Sequence, residues 1–141
     1  MKAMKRREAI QRLLIGTGTM IVIPAGILSS CSENLGPNLT SDLHIDMNQA
    51  ANSALKSKGG YILDSGVIVI NTDGNNWVAL SSTCTHQACT VTYSPSQMNL
   101  PCPCHGSVFS LSGSVLRGPA TRPLKTYSVT KQDNILTVSK G

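Results

Sequence analysis

Two short blocks of cysteine and histidine constrain this chain more than anything else in it. CTHQAC runs from Cys84 to Cys89 and CPCHGS from Cys102 to Ser107. Thiolate and imidazole are the usual protein ligands of zinc and of iron–sulfur centres, so the fold must bring two loops to one place. The first block offers Cys84-x-His86 and the second Cys102-x-x-His105. Two Cys and two His satisfy a tetrahedral zinc ion. Zinc sites of that composition usually pair Cys with Cys in one block and His with His in the other, whereas each block here holds one of each. The mixed order suits a binuclear [2Fe–2S] cluster, with two thiolates on one iron and two imidazoles on the other. Cys89 and Cys104 are left over, and in an oxidising compartment they can join and clamp the two loops. Gly106 permits a tight turn after the second block's histidine, and Pro103 stiffens the backbone between Cys102 and Cys104.

The compartment is read from the other end of the chain. The net charge is +5, from 12 Lys and Arg against 7 Asp and Glu. Lys2, Lys5, Arg6, Arg7 and Arg12, offset by Glu8, place most of it before residue 31. The near-neutral remainder has no electrostatic footprint for nucleic acid. Leu13 to Ser30 carries no charge and is interrupted by Pro24 and Gly26. That is short for a spanning helix, which needs roughly 20 apolar residues, and fits the middle of an export signal. LSSC, Leu28 to Cys31, resembles a bacterial lipobox, which makes Cys31 the expected lipidation site. Arg6-Arg7 resembles a twin-arginine signal, which suits a protein that folds around a cofactor before export; Ala9 and Ile10 depart from that pattern. The alternative is an uncleaved N-terminal anchor with a free Cys31. The expected organisation is an export signal over 1–30, a lipidated N-terminus and tether over 31–41, and a folded domain over 42–141, held outside the cytoplasm at a bacterial membrane.

The body reads as all-β: few aromatics, many Val, Ile, Thr and Ser, and frequent Gly and Pro. Strands are expected at Leu43–Met47, Tyr61–Leu63, Val67–Asn71, Trp77–Leu80, Thr90–Tyr93, Val108–Leu111, Tyr127–Thr130 and Ile135–Val138. One helical turn is expected in NQAANSALKS. TDGNN, Thr72 to Asn76, and QDN, Gln132 to Asn134, read as hairpin turns. Many short strands predict a small antiparallel sandwich or barrel with a two-loop ligand-bearing subdomain. Trp77 is expected in the core, and His44, remote from both blocks, is expected to be an ordinary strand residue.

C-T-H-x-x-C followed by C-P-C-H-G-S resembles the Rieske iron–sulfur signature, over roughly Leu43 to the C-terminus. GPA, Gly118 to Ala120, resembles the proline loop that covers the cluster in that family. The resemblance implies one [2Fe–2S] cluster, with Cys84 and Cys102 on an inner iron and His86 and His105 on an outer, solvent-facing iron. It implies a Cys89–Cys104 disulfide and a Ser107 hydroxyl bonded to a bridging sulfide. Two ferric ions balanced by two sulfides and two thiolates make a neutral oxidised centre. Histidine ligation therefore raises the reduction potential, to roughly −150 to +300 mV across such centres. Members that oxidise quinols usually have a leucine where this chain has Gln87, and high-potential members a tyrosine where it has Phe109. Phe109 points to a potential below that of quinol-oxidising relatives, and Gln87 weakens the case for a quinol site.

Beyond the two blocks the sequence offers no nucleophile or base constellation. The expected role is single-electron transfer between redox protein partners: a cytochrome, an oxidase or a quinol-linked complex. Within that role the chain is either a membrane-anchored carrier or the Rieske subunit of a larger oxidoreductase, such as a quinol:cytochrome c reductase or a molybdenum-type oxidase. A ring-hydroxylating dioxygenase ferredoxin is disfavoured by Cys89, Cys104 and the leader. A structural zinc module stays open to iron and sulfide analysis.

Overall fold

The computed structural model describes residues 39–139. The export signal, Cys31 and most of the tether lie outside the described residues. β1 (Leu43–Asp46) is followed by a 3₁₀ helix (Ala50–Lys56), β2 (Tyr61–Asp64), β3 (Val67–Asn71), β4 (Trp77–Ser81), β5 (Asn99–Pro101), β6 (Val108–Ser110), β7 (Val115–Arg117), β8 (Thr126–Gln132) and β9 (Ile135–Ser139). All ladders are antiparallel. Six strands form one sheet in the order β1-β9-β8-β4-β3-β2, and β5-β6-β7 form a second. The fold is the expected all-β one.

The organising element is β3. Its sequence, VIVIN, has no polar alternation, and all five residues are buried, the pattern of a strand covered on both faces. Ile68 and Ile70 pack into a core with Leu80, Leu100, Phe109, Leu124, Cys84 and Cys102. Val67 and Val69, on the opposite face, pack with Ile45, Met47, Leu55, Leu136 and Val138. β3 and its neighbour β4 thus form a wall between two cores, one of which includes the candidate ligand thiols. A one-residue slip of β3 would exchange its two apolar faces. Its register against β4, Val67↔Ser81 through Asn71↔Trp77, is therefore tied to the site.

Local chemistry fixes the turns. In the β3–β4 hairpin, Asp73 Oδ1 accepts the backbone N–H groups of Asn75 and Asn76, both at 2.8 Å. The Asn76 side chain donates to Asp73 Oδ2, and these bonds hold the Asp73 carboxyl below its usual value. In the β8–β9 hairpin Asp133 takes a φ of 54°, which Asp tolerates better than most residues. Asn71, fully buried at the end of β3, donates from Nδ2 to the Leu55 carbonyl at 2.9 Å and so ties the 3₁₀ helix to the wall.

Three expectations need correction. Thr90–Tyr93 forms no strand. Val91 and Tyr93 are buried while Thr90 and Thr92 are exposed, the alternating burial of a strand. The backbone bonds, however, go to different partners, Val91 N–H to Ser82 O and Thr92 N–H to Pro101 O, and only the single bridge Thr83↔Thr90 results. β5 and β7, three residues each, were not anticipated. Trp77 is half-buried at the margin of the second core, with its Nε1–H donating to Leu55 O at 3.1 Å and Lys131 Nζ 5.5 Å from its ring centroid. His44 is the expected exposed strand residue, with Nδ1 3.1 Å from Thr137 Oγ1.

Candidate metal centre

The two Cys/His blocks fold into loops of the same design. Cys84–Cys89 is closed at its base by the Thr83↔Thr90 bridge, and Cys102–Ser107 by the Pro101↔Val108 pair of β5 and β6. Inside the first loop, Cys84 N–H donates to Cys89 O at 2.8 Å and Ala88 N–H to Cys84 O at 2.9 Å. Inside the second, Cys102 N–H donates to Ser107 O at 2.7 Å and Gly106 N–H to Cys102 O at 3.0 Å. The fifth residue of each loop has positive φ, 56° at Ala88 and 77° at Gly106. The first residue of each is the cysteine that points inward.

Depth sorts the side chains. Cys84 and Cys102 are 1% and 2% exposed, are free thiols, and lie within hydrogen-bonding reach of each other. Burial pushes the Cys102 thiol above its ordinary value, and the neighbouring Cys84 thiol adds to the rise against the Cys104 N–H. Metal loading at such a site releases protons. His86 is half-buried and His105 exposed, with ring centroids 4.8 Å apart and planes inclined by 78°. Cys89 and Cys104 are bonded to each other, with Cα atoms 6.5 Å apart, so the two loops are covalently joined.

Among the described residues no group of three or more His, Cys, Asp or Glu is arranged to hold one metal ion. The four donors come instead as a deep pair of thiols and a shallow pair of imidazoles, and a two-iron group takes two ligands on each iron. His86 Nδ1 is buried and has no hydrogen-bond partner. Such an orphan is costly unless a bound group meets it. The residues present therefore fit a [2Fe–2S] cluster.

A strap over residues 117–122 lies against both loops. Arg117 Nε donates to Gly106 O at 3.0 Å, and Ala120 N–H to Ser107 Oγ at 2.9 Å. Thr85 Oγ1 donates to Arg122 O at 2.6 Å. Ser107 is fully buried; with its oxygen accepting from Ala120, its own proton is left to donate elsewhere. Gly118-Pro119-Ala120, singled out in the sequence, lies in this strap. Thr85 and Arg117 were missed as loop ties. Their partners are backbone carbonyls, which leave no residue signature. Gln87 and Ala88 are exposed at the first loop's tip, and Phe109 is fully buried in the core shared with Cys84 and Cys102.

Comparison with known proteins gives concordant results. Residues 46–128 match the model of the Rieske [2Fe-2S] domain. The cytochrome b6-f complex iron-sulfur subunit 3 of Nostoc sp. is 44% identical over 62 residues, which are 44% of this chain and 35% of that protein. The chain thus spans about a third of the length of this curated relative. The cyanobacterial plasma membrane Rieske protein PetC3 from Synechocystis PCC 6803 is 37% identical, with 52% of this chain and 76% of that one covered and a TM-score of 0.49. The ferredoxin of carbazole 1,9a-dioxygenase from Nocardioides aromaticivorans is 22% identical, with 60% and 88% covered and a TM-score of 0.52, a likeness of fold.

Proposed function

Because the chain belongs to the Rieske [2Fe–2S] family and carries one such cluster, we propose that Cys84 and Cys102 bind its inner iron and His86 and His105 its outer iron. The observation that carries this assignment is the sorting by depth: two buried thiols in mutual reach and two imidazoles at the surface. When bound, the cluster takes up and releases one electron. The protein's part is electrostatic and positional. The apolar core around the thiols excludes water, which strengthens interactions with the added charge. Ser107, with its oxygen accepting from Ala120, would donate its hydroxyl proton to the bound cluster and so would stabilise the reduced state. The exposed His105 and half-buried His86 offer the short path to a partner. The strap and the Cys89–Cys104 bond hold the loops in register.

The chain acts in electron transfer as a Rieske protein. Its finer placement is part of the proposal: a lipoprotein anchored through Cys31 after removal of residues 1–30, with the tether 31–41 and the domain 42–141 on the periplasmic or cell-envelope side of a bacterial membrane. There it passes electrons between redox protein partners. Among the described residues no helix is long and apolar enough to cross a membrane. A second reading, a subunit of a larger oxidoreductase, is favoured by the Nostoc relative being a subunit of a cytochrome b6-f complex. The exposed Gln87 and the hydroxyl-free Phe109 weigh towards the carrier. Replacing His86 or His105 with Ala tests the assignment: the mixed-ligand electron paramagnetic resonance signal of the reduced protein disappears. Its survival in either variant overturns the ligand set.

A further inference from the structure

Among the described residues, the stretch of chain that bears the two loops contains no carboxylate. Between Asp73 and Asp133 the sequence has no Asp or Glu, while Arg117, Arg122, Lys125 and Lys131 fall in that interval. The acidic residues among those described, Asp42, Asp46, Asp64, Asp73 and Asp133, all lie in or beside strands of the six-stranded sheet. Lys56, Lys58 and Lys131 lie among them. Charge is therefore divided by region, although residues 31–141 as a whole are nearly neutral.

The strap that carries the two arginines is tied to both loops beside their histidines. Arg117 is bonded to the carbonyl of Gly106, next to His105, and the Arg122 carbonyl is bonded to Thr85, next to His86. Both arginines are exposed. Leu116, 60% exposed, and the exposed Pro119 lie in the same stretch and supply apolar contact. The Arg117 guanidinium held beside the exposed His105, and Arg122, the strap residue tied to the neighbour of the half-buried His86, give this face a positive local field that net charge does not reveal.

We infer that the face formed by His86, His105, Arg117, Leu116, Pro119 and Arg122 is a docking surface for an acidic redox protein, whose carboxylates surround its own one-electron centre. The inference rests on the electron-transfer reading. Field and redox centre coincide, so the attraction that captures such a partner also orients it for transfer. A basic partner is repelled by the same face.

The test uses the full-length holoprotein, reduced and mixed with one of two inorganic oxidants. Each accepts one electron from the reduced protein: ferricyanide, a trianion, or tris(phenanthroline)cobalt(III), a trication. The ferricyanide rate constant is expected to fall roughly tenfold as ionic strength rises from about 10 mM to about 300 mM. The cobalt rate is expected to rise or stay level. The double variant Arg117→Gln/Arg122→Gln flattens the ferricyanide dependence to within about twofold. Lys56→Gln/Lys131→Gln, which removes the same charge from the six-stranded sheet region, keeps it. Arg117→Lys/Arg122→Lys also keeps it, which separates charge from any loosening of the strap. The basic leader is common to all these proteins and cancels from the comparison. Equal salt dependence in the Arg→Gln and Lys→Gln variants, or faster reaction with the cation at low salt, overturns the docking inference alone. Failure to reduce either oxidant overturns the electron-transfer reading and the inference with it.

Discussion

Ser107 shows how much a single hydroxyl is asked to do at this site. Its oxygen accepts the Ala120 N–H at 2.9 Å, so the strap and the second loop share it, and its proton is free for the proposed bond to a cluster sulfur. Ser107→Ala removes that donor and should lower the reduction potential. The expected drop is on the order of 50 mV, about what 1 kcal/mol makes for a one-electron couple. Potentiometric titration measures it, and an unchanged or higher potential contradicts the role. The candidate ligands were legible at this scale because metal chemistry demands particular side chains at short spacings. The ties from Thr85 and Arg117 were not, since they end on the carbonyls of Arg122 and Gly106, and any residue has a carbonyl.

The two loops share a turn with positive φ at the fifth position, occupied by Ala88 in one and Gly106 in the other. An ideal Cβ at Gly106 meets nothing within 4 Å, so a side chain there costs backbone strain alone. The left-handed region costs an L-residue about 1–2 kcal/mol, offset in part by the lower unfolded-state entropy of Ala. Ala88→Gly should therefore raise stability, and Gly106→Ala lower it, each by roughly 0.5–1 kcal/mol in denaturant unfolding. The same sign for both would defeat the argument. At Gly113 the cost is larger for a different reason: an added Cβ falls 2.6 Å from Leu124 O. At this scale the sequence was readable where strands were long enough to show a pattern. Val67–Asn71 was found at its observed bounds. Asn99–Pro101 and Val115–Arg117 are too short for alternation to register. Thr90–Tyr93 shows that alternating burial and a continuous ladder are separate properties, because its N–H groups serve two partners.

The described residues form two cores on either side of β3 and β4, with the loops fastened to one of them. The all-β class was legible from composition and turn spacing. The double-sided wall was not inferred, although an uninterrupted apolar run such as VIVI is its signature. The Cys89–Cys104 bond closes a sequence separation of 15 residues between the loops. Replacing both cysteines with Ser should destabilise the protein by about 3 kcal/mol on the loop-closure account, measured by denaturant unfolding of the holoprotein. A change within about 0.5 kcal/mol would mean that the strap and cluster hold the loops without it.

The proposed mixed set of two thiolates and two imidazoles makes the domain a one-electron centre. A redox titration of the holoprotein, followed by electron–nuclear double resonance for nitrogen on the reduced state, tests this directly. A single one-electron transition and hyperfine coupling to two imidazole nitrogens are expected. A redox-silent protein, or a reduced centre coupled to no histidine nitrogen, would contradict it.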